Sequence, residues 1–242
     1  MVVSLYSSPE EFYLDHIENC KKNLWLILPI FTPVLKRILD FNDEKILQTS
    51  LEKMVAFHDL GKLTKKWQEN KEKNLRPSHA PLGAAYLWKI SPDVIKEPVC
   101  FAILIHHTDK GLLGDNIERP DVQAIIEGIV TYDGKINWDD NVCSLPNDLF
   151  PPEAKDLTIN DLKDMAQKLR IWARSGSFLD QHKKRIQTML CHHILKLCDI
   201  SAAKERKEYE KKEDEDYFGG WLMVEEINNY VDQMCKRLPK CQ

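Results

Sequence analysis

Residues Ile186–Ala203 have the sequence IQTMLCHHILKLCDISAA, which is apolar on almost every side when placed on a helix. A helix that is apolar all round is normally buried at the centre of a protein. The pattern extends upstream to Phe178 and predicts one long helix. Short turn signals divide most of the remaining chain into further helical segments. We therefore expect an all-α fold, a single globular helical bundle built around a central buried helix.

Capping residues predict where the other helices begin. Ser8-Pro9-Glu10-Glu11 has the pattern of a capping box with proline in the first turn, and predicts a helix that contains His16. Further helices are predicted from Asn42-Asp43, from Ser78 to Leu87, from Ser91-Pro92 to His106-His107, and over Asp121–Tyr132, Thr158–Trp172 and Trp221–Arg237. Residues 133–155 are rich in Pro, Asp and Asn, and are predicted to be an irregular loop or lid within one domain spanning residues 1–242.

The composition limits the possible functions. The 242 residues are 43% hydrophobic, which is enough for a sizeable core and excludes a disordered chain. No unit of about 20–50 residues repeats, so the chain is not a solenoid. The formal net charge is −4, so the protein as a whole does not attract nucleic acid. Binding to a polyanion would need a local basic patch or a bound cation.

The N-terminal residues and the cysteines indicate the cellular compartment. The first twelve residues contain Ser, Pro and Glu, which interrupt the apolar stretch that a signal peptide needs. The most apolar run, Trp25–Leu35, has about half the length of a membrane span and contains two prolines. The seven cysteines are odd in number and form no C-x-x-C pair, which favours reduced thiols. We expect a cytoplasmic protein with no membrane partner.

The positions of His and Asp indicate a metal site. His58-Asp59 ends a helical stripe of apolar residues, and His106-His107 ends the apolar run Cys100–Ile105. Asp199 lies in the central helix, on the same face as His192. A buried carboxylate costs several kcal/mol unless something replaces its hydration, and a divalent cation bound by imidazoles and carboxylates does so compactly. Each residue alone has a plain structural explanation, such as a core hydrogen bond or a cap, but together they favour metal binding.

A resemblance to a known family begins at Phe57–Lys62, with the sequence FHDLGK. With His16 upstream and Asp199 downstream, this segment resembles the H…HD…D pattern of HD-domain metal-dependent phosphohydrolases. Ser78-His79 and then His106-His107 add elements that resemble the HD nuclease of type I CRISPR interference, in its stand-alone form. The resemblance runs from about residue 10 to residue 205. The sequence lacks the phosphate-binding loop G-x-x-x-x-G-K-[ST], so a helicase motor is absent.

The resemblance implies an HD-domain fold with two divalent metal ions, drawn from Mn, Mg, Ni, Co or Fe. It implies that the first metal is held by His16, His58, Asp59 and Asp199, and the second by His79, His106 and His107, with Asp59 bridging the two. Asp59 and Lys62 are the implied catalytic residues, with Lys62 contacting a phosphate oxygen or orienting Asp59. Adjacent side chains at a helix end diverge by about 100°, so His58 and Asp59 can address two neighbouring points. Two ions about 3.5–4 Å apart could activate a hydroxide for in-line attack on a phosphodiester.

Residues 62–76 form a basic patch next to this motif, with six basic and two acidic side chains. Lysines can follow a phosphate backbone, and Trp67 can stack on an unpaired base, although a buried tryptophan in an amphipathic helix is the structural alternative. The predicted nucleic-acid contacts are Lys65, Lys66, Trp67, Lys71, Lys73 and Arg76. The resemblance implies single-stranded DNA, or RNA, as the substrate, cut internally or from an end. It also implies a separately encoded CRISPR helicase and a guide-RNA surveillance complex as partners.

Two alternatives remain open from the sequence. One is another HD-superfamily phosphohydrolase that acts on a small nucleotide, which would need a closed pocket lined with arginine, whereas the basic patch favours a long polyanion. The other is a non-catalytic subunit with a structural zinc site. Its ligands would be Cys191, His192, His193 and Cys198 in the central helix. Thiols in an apolar helical run are, however, more commonly core residues.

Overall fold

The computed structural model describes residues 5–72, 78–91, 95–107 and 129–204, together with residues 233 and 236. The helices in these ranges are α1 (Tyr13–Leu39), α2 (Glu44–Phe57), α3 (Lys65–Glu69), α4 (Ala80–Ile90), α5 (Lys96–Leu104), α6 (Ile159–Arg174) and α7 (Phe178–Lys204). A short antiparallel hairpin, β1 (Tyr6–Ser8) and β2 (Glu11–Phe12), precedes α1. The prediction of an all-α fold is confirmed.

The central helix is α7, which packs against α1 and α5 and also contacts α2 and α6. Its fully buried side chains, such as Cys191, Leu195 and Ala202, lie in the second half of the helix. The first half is less covered, since Ile186 and Met189 are about half exposed. The helix is therefore central, as predicted, and its burial is concentrated beyond residue 190.

Helix α1 continues through two prolines. Pro29 and Pro33 lie on its exposed side, where each ring removes one backbone donor. The opposite face is buried, as Leu28 and Leu35 show, and α1 packs against α7 and α2. This burial of apolar surface holds the helix together across the prolines. Among the described residues, no helix combines the length and the apolarity that crossing a membrane requires.

The start of α1 differs from the prediction. Ser8-Pro9-Glu10-Glu11 does not open the helix, because it forms the turn between β1 and β2, and α1 begins at Tyr13. The carboxylate of Glu11 is engaged elsewhere, since it accepts a hydrogen bond from Ser7 Oγ (2.7 Å). The amide of Tyr13 donates to the carbonyl oxygen of Leu5. The predicted capping box is therefore wrong, and the hairpin carries Glu11 to the start of α1.

Two other predicted helix starts are confirmed. The side chain of Asp43 accepts a hydrogen bond from the amide of Ile46 (3.0 Å) at the start of α2. At the start of α6, Thr158 and Asp161 form a complete capping box. Helix α4 begins two residues after Ser78, and α5 begins at residue 96 rather than 91. Most of the helix predicted over residues 121–132, and nearly all of that over residues 221–237, lies outside the described residues.

Residues 133–155 are irregular but packed. Two 3₁₀ turns lie at Val142–Ser144 and Pro152–Asp156. Leu149 belongs to the same buried cluster as the core residues of the helices. The amide of Asp139 donates to the carbonyl oxygen of Leu63 (2.9 Å), and that of Lys65 donates to Asn137 (3.0 Å). These bonds attach the segment to the turn that follows α2, where the His58-Asp59 pair lies.

Candidate metal centre

The turn after α2 sends His58 and Asp59 in different directions. His58 is the C-terminal cap of α2, and Asp59 leaves helical geometry, with φ −98° and ψ 9°, before the 3₁₀ turn Leu60–Leu63. Both side chains are buried. The Nδ1 atom of His58 donates to the carbonyl oxygen of Val55 (2.7 Å). In the neutral ring Nδ1 therefore carries the proton, and the lone pair is on Nε2.

His106 has the same arrangement just beyond the end of α5. Its Nδ1 atom donates to the carbonyl oxygen of Ile103 (2.6 Å), which again leaves Nε2 unprotonated. The Nε2 atoms of His58 and His106 are buried, and in the described structure they have no hydrogen-bond partner. A buried polar atom without a partner is costly, so each Nε2 atom indicates a ligand.

A first cluster joins α1, the turn after α2, and α7. The Nε2 atom of His16 lies 3.3 Å from Oδ1 of Asp199, and the Nε2 atom of His58 lies 3.8 Å from the same oxygen. The two histidines are fully buried, whereas Asp199 is 17% exposed. The thiol of Cys20 lies in the same group of possible metal ligands. The first cluster is defined here as His16, His58 and Asp199.

A second cluster consists of His79, His106 and His107. His79 is the N-terminal cap residue of α4, and the other two histidines follow α5. The Nε2 atoms of His79 and His107 are only 2.6 Å apart. Two ring nitrogens at this distance share a proton in a hydrogen bond, so one ring donates and the other accepts. Since His107 is exposed, the second cluster reaches the surface of the protein.

Asp59 lies between the two clusters. Its Oδ2 atom is 3.2 Å from Nε2 of His16 and 3.5 Å from Nε2 of His58. Its Oδ1 atom is 3.0 Å from Nε2 of His79 and 3.6 Å from Nε2 of His106. One carboxylate thus faces a different cluster with each oxygen. Burial would raise the pKa of Asp59, but the surrounding charges, His58 first among them, hold it well below the usual range.

The protonation states of the clusters suit metal binding. Burial lowers the pKa of His79 to about 4. Burial would raise the pKa of Asp199, but the hydrogen bond with His16 outweighs it and the pKa is well below normal. For His16, burial lowers the pKa, but the adjacent thiol and carboxylates raise it well above normal. His16 therefore gives up a proton when it binds a metal.

The donor set fits divalent metal ions. The residues that the structure brings together are all seven predicted ligands: His16, His58, Asp59, His79, His106, His107 and Asp199. Imidazole nitrogens combined with carboxylate oxygens suit borderline transition metals. A cation in each cluster would also satisfy the buried Nε2 atoms of His58 and His106. Catalytic metal ions are commonly held by just such a set of side chains.

Comparisons with known proteins agree with this geometry. No family model matches the chain. The sequence is 24% identical over 210 residues to a CRISPR-associated endonuclease Cas3-HD from Thermoproteus tenax, and the alignment covers 80% of this chain and 85% of that protein. The fold is similar to that of the CRISPR-associated Cas3 HD domain protein from Methanocaldococcus jannaschii, with a TM-score of 0.61 and 14% identity, over 80% of this chain and 100% of the other. This chain has the HD-domain fold. Its resemblance to the stand-alone HD nuclease of type I CRISPR interference is confirmed.

Two glycines allow the histidines of this HD domain to come together. A Cβ atom on Gly61 would lie 2.3 Å from the carbonyl oxygen of His79, and one on Gly83 would lie 2.0 Å from the carbonyl oxygen of Phe57. No side chain fits at these distances, so both positions require glycine. Gly61 of the FHDLGK segment therefore lets the start of α4, with His79, lie directly against the turn that holds Asp59.

Glu11 supports the HD centre and was not singled out from the sequence. Its Oε2 atom lies 3.2 Å from Nδ1 of His16 and accepts the hydrogen bond from Ser7 Oγ. A carboxylate beside the far nitrogen of a metal-binding histidine makes the ring a stronger ligand. The capping-box interpretation assigned this carboxylate to a helix start. The sequence feature that could have identified Glu11 is its position, five residues before His16, the first histidine of the pattern.

Three described lysines of the basic patch, Lys65, Lys66 and Lys71, are partly exposed, whereas Lys62 is buried. Lys65 is 43% exposed, and its Nζ atom lies 3.4 Å from Oδ2 of Asp140. Lys66 is half-buried, and the Nζ atom of Lys71 lies 3.3 Å from the centre of the Tyr6 ring. Two predicted contacts, Lys73 and Arg76, lie outside the described residues.

The structure corrects the expectation that Trp67 stacks on an unpaired base. Trp67 is 1% exposed, so its ring has no face open to solvent. The centre of the Trp67 ring lies 6.4 Å from the centre of the His79 ring. The Nζ atom of Lys62 lies 5.7 Å from the centre of the Trp67 ring. Trp67 therefore packs behind the second cluster. Helical periodicity alone did not distinguish this buried position from an exposed one.

The alternative of a structural zinc site is not supported. Its four residues form no group of possible metal ligands in the described structure, which holds two such groups around the HD turn. Cys191 and Cys198 are buried in the core, and the ring of His193 packs against Phe31. His192 belongs to neither cluster, and burial lowers its pKa to about 4.

Proposed function

We propose that this protein is a metal-dependent nuclease that cleaves single-stranded DNA, or RNA, in CRISPR interference. The observation that carries the proposal is the position of Asp59, whose two oxygens face two separate histidine clusters. A carboxylate in this position can bind two neighbouring divalent cations, one with each oxygen. The sequence relationship to a Cas3-HD endonuclease supports a CRISPR-associated HD nuclease. Beyond this class of protein, we propose that the centre holds two metal ions and that the substrate is a single-stranded polynucleotide.

Each side chain of the centre has a role in this proposal. His16, His58 and Asp199 would hold one ion, the second cluster would hold another, and Asp59 would be shared between them. Divalent cations bound there would stabilise negative charge on the phosphate and lower the pKa of a water molecule. Lys62, whose Nζ atom is 2.6 Å from Oδ2 of Asp59, keeps the bridging carboxylate ionised and oriented.

The accessible side of the centre indicates how a phosphate would approach. Asp199 is 17% exposed, His79 is 11% exposed and Lys62 is 10% exposed, and His107 is open to solvent. Lys65 and Lys66 follow in α3, immediately after the 3₁₀ turn. A single strand has unpaired, flexible phosphates that can reach such an edge while lysines bind neighbouring phosphates. The lysines thus support a polynucleotide substrate.

The proposed setting follows from the sequence relationship to a CRISPR-associated endonuclease. The partners in this proposal are a separately encoded CRISPR helicase, which would unwind the DNA, and a guide-RNA surveillance complex. A cytoplasmic location is supported by five cysteines in the described ranges that form no disulfide. These partners and this location belong to the proposal.

The test is a cleavage assay with chelator-treated protein to which a single divalent metal is returned. Substrates are single-stranded DNA, single-stranded RNA and mononucleotides, including cyclic ones. We expect cleavage of the polynucleotides, loss of that cleavage in Asp59→Asn, and full activity in Asp148→Asn. Asp148 is a suitable control because it is 67% exposed and pairs only at the surface, with Lys21. Hydrolysis of mononucleotides alone would favour the small-nucleotide phosphohydrolase, and full activity in Asp59→Asn would overturn the site.

A further inference from the structure

Cys20 lies beside the three residues of the first cluster, although the resemblance assigns it no role. It follows His16 by four residues on α1, so the two side chains lie on the same face of the helix. The side chain is fully buried, and its Sγ atom lies 3.6 Å from Nε2 of His16. The ligand atoms of Cys20, His16, His58 and Asp199 all lie within 4.8 Å of one another.

These distances match the edges of a metal coordination shell. With metal–nitrogen and metal–sulfur bonds of about 2.1 and 2.3 Å, a tetrahedral ion holds nitrogen and sulfur about 3.6 Å apart. The observed distance from His16 Nε2 to Cys20 Sγ is 3.6 Å. For nitrogen and oxygen ligands at about 2.1 Å the corresponding distance is about 3.4 Å. The two histidine nitrogens lie 3.3 and 3.8 Å from Oδ1 of Asp199.

A second observation indicates that an ion belongs at this point. The Nε2 atom of His58 is buried and, in the described structure, has no hydrogen-bond partner. Its tautomer is fixed by the hydrogen bond from Nδ1 to Val55, so Nε2 presents a lone pair to the cluster. A sulfur atom, two imidazole nitrogens and a carboxylate oxygen therefore converge where one nitrogen lacks a partner.

We propose that Cys20 is an additional ligand of the ion held by His16, His58 and Asp199. This inference rests on the metal centre of the proposed function. A thiolate is a soft ligand, so the first cluster would select zinc, iron(II) or cobalt over magnesium and manganese. The second cluster has no sulfur ligand, so the two halves of the centre would differ in metal preference. Coordination replaces the S–H bond by a sulfur–metal bond and releases one proton to the buffer.

The experiment is a cobalt(II) titration of the full chain after removal of bound metals. A sulfur-to-cobalt charge-transfer band in the near ultraviolet reports a thiolate ligand, whereas weaker visible bands report cobalt bound by any donors. We expect the charge-transfer band in the wild type and in Cys100→Ser, and its loss in Cys20→Ser and Cys20→Ala. Cys100 is a matched control because it is equally buried, on α5, outside both groups of possible ligands.

A competition assay measures the selectivity itself. In Cys20→Ser, the preference of the protein for zinc over manganese should fall at least about tenfold. Loss of a residue that supports a metal site typically lowers metal affinity by about 10–100-fold, and tenfold is the lower end of that range. The same ratio should be unchanged in Cys100→Ser. Far-ultraviolet circular dichroism and thermal unfolding verify that each variant is folded. X-ray absorption on the cobalt-loaded wild type, which needs no variant, should show sulfur at about 2.3 Å from the metal.

The outcomes separate this inference from the nuclease proposal. Visible cobalt bands without a charge-transfer band, and no sulfur in the X-ray absorption, would overturn the role of Cys20 and leave the metal centre in place. A charge-transfer band that persists in folded Cys20→Ser would overturn it as well, because another thiol would be the ligand. Failure of the wild type to bind cobalt at all would overturn the centre itself, and this inference with it.

Discussion

The Nζ atom of Lys62 lies 2.6 Å from Oδ2 of Asp59, and the two side chains are 10% and 1% exposed. The same oxygen faces His16 and His58, so the ammonium group sits beside the first cluster. A buried carboxylate stays ionised only where positive charge or hydrogen bonds compensate for lost hydration. Lys62 therefore prepares the bridging carboxylate for metal binding, and it is close enough to meet a phosphate that joins the centre.

Replacing Lys62 by methionine should reduce cleavage while the protein stays folded and keeps binding metal. The side chain has nearly the same length but no charge, so Asp59 loses the positive charge beside Oδ2. Loss of such a supporting partner lowers activity by about 10–100-fold. Rates of cleavage and manganese binding by calorimetry measure the two effects. Lys168→Met is the control, since Lys168 is 56% exposed and pairs with Asp164 on the surface of α6. Equal rates in the wild type and Lys62→Met would contradict this role.

Replacing Glu11 by glutamine should weaken metal binding at the first cluster. The carboxylate lies 3.2 Å from Nδ1 of His16 and strengthens Nε2 as a ligand. We expect about 10–100-fold lower affinity for one of two metals, because such outer partners typically contribute that much. Calorimetric titration resolves the two binding events. Glu10→Gln changes an exposed neighbour in the same turn and should leave both affinities unchanged. Two unchanged affinities in Glu11→Gln would show that His16 does not depend on this carboxylate.

Much of the helical framework could be predicted from the sequence, because it depends on local patterns. Asp43 and Thr158 cap their helices with side chains only three residues away, and the apolar pattern of α7 is visible in a single segment. The start of α1 could not be predicted in this way. There, Glu11 bonds to Ser7 and faces His16, so a tertiary contact decides between a hairpin and a helix cap.

The candidate site shows the same division between local and distant information. The FHDLGK segment, the dispersed histidines and Asp199 in the central helix supply all seven residues that converge, and the resemblance supplies their grouping. The burial and the neighbours of Trp67 and Cys20 depend instead on which side of each helix is covered by segments that are distant in the sequence. Both are buried, Trp67 behind His79 and Cys20 beside His16. No spacing within either segment reveals those neighbours.

Replacing Gly61 by alanine should damage the second cluster more than the first. The added Cβ would lie 2.3 Å from the carbonyl oxygen of His79, so the start of α4 must move away from Asp59. Overpacking of this kind costs about 1–3 kcal/mol, which urea unfolding measures. We expect at least about tenfold slower cleavage and the loss of one bound metal, since a ligand of that metal is displaced.

A double-mutant cycle tests whether Gly61→Ala acts through His79. If the two positions share one effect, Gly61→Ala should slow cleavage little further in a protein that already carries His79→Ala. Independent effects would multiply the two losses. That result would show that Gly61→Ala disturbs the turn at Asp59 directly, without displacing His79.

The metal-free protein should lose stability as the pH falls from about 6.5 to about 4, and His192 should carry part of that loss. Burial lowers the pKa of His192 to about 4, below the value of about 6.5 for an unfolded chain. Between these values the unfolded state binds more protons, so the free energy of unfolding decreases with decreasing pH. His192→Leu removes this group and should reduce the loss by about 1–3 kcal/mol. Urea unfolding of the wild type and His192→Leu at pH 7.5 and pH 5 measures this loss of stability. The difference between the two proteins at pH 7.5 gives the effect of the substitution on packing alone. The same pH dependence in both proteins would show that His192 does not stay neutral on folding.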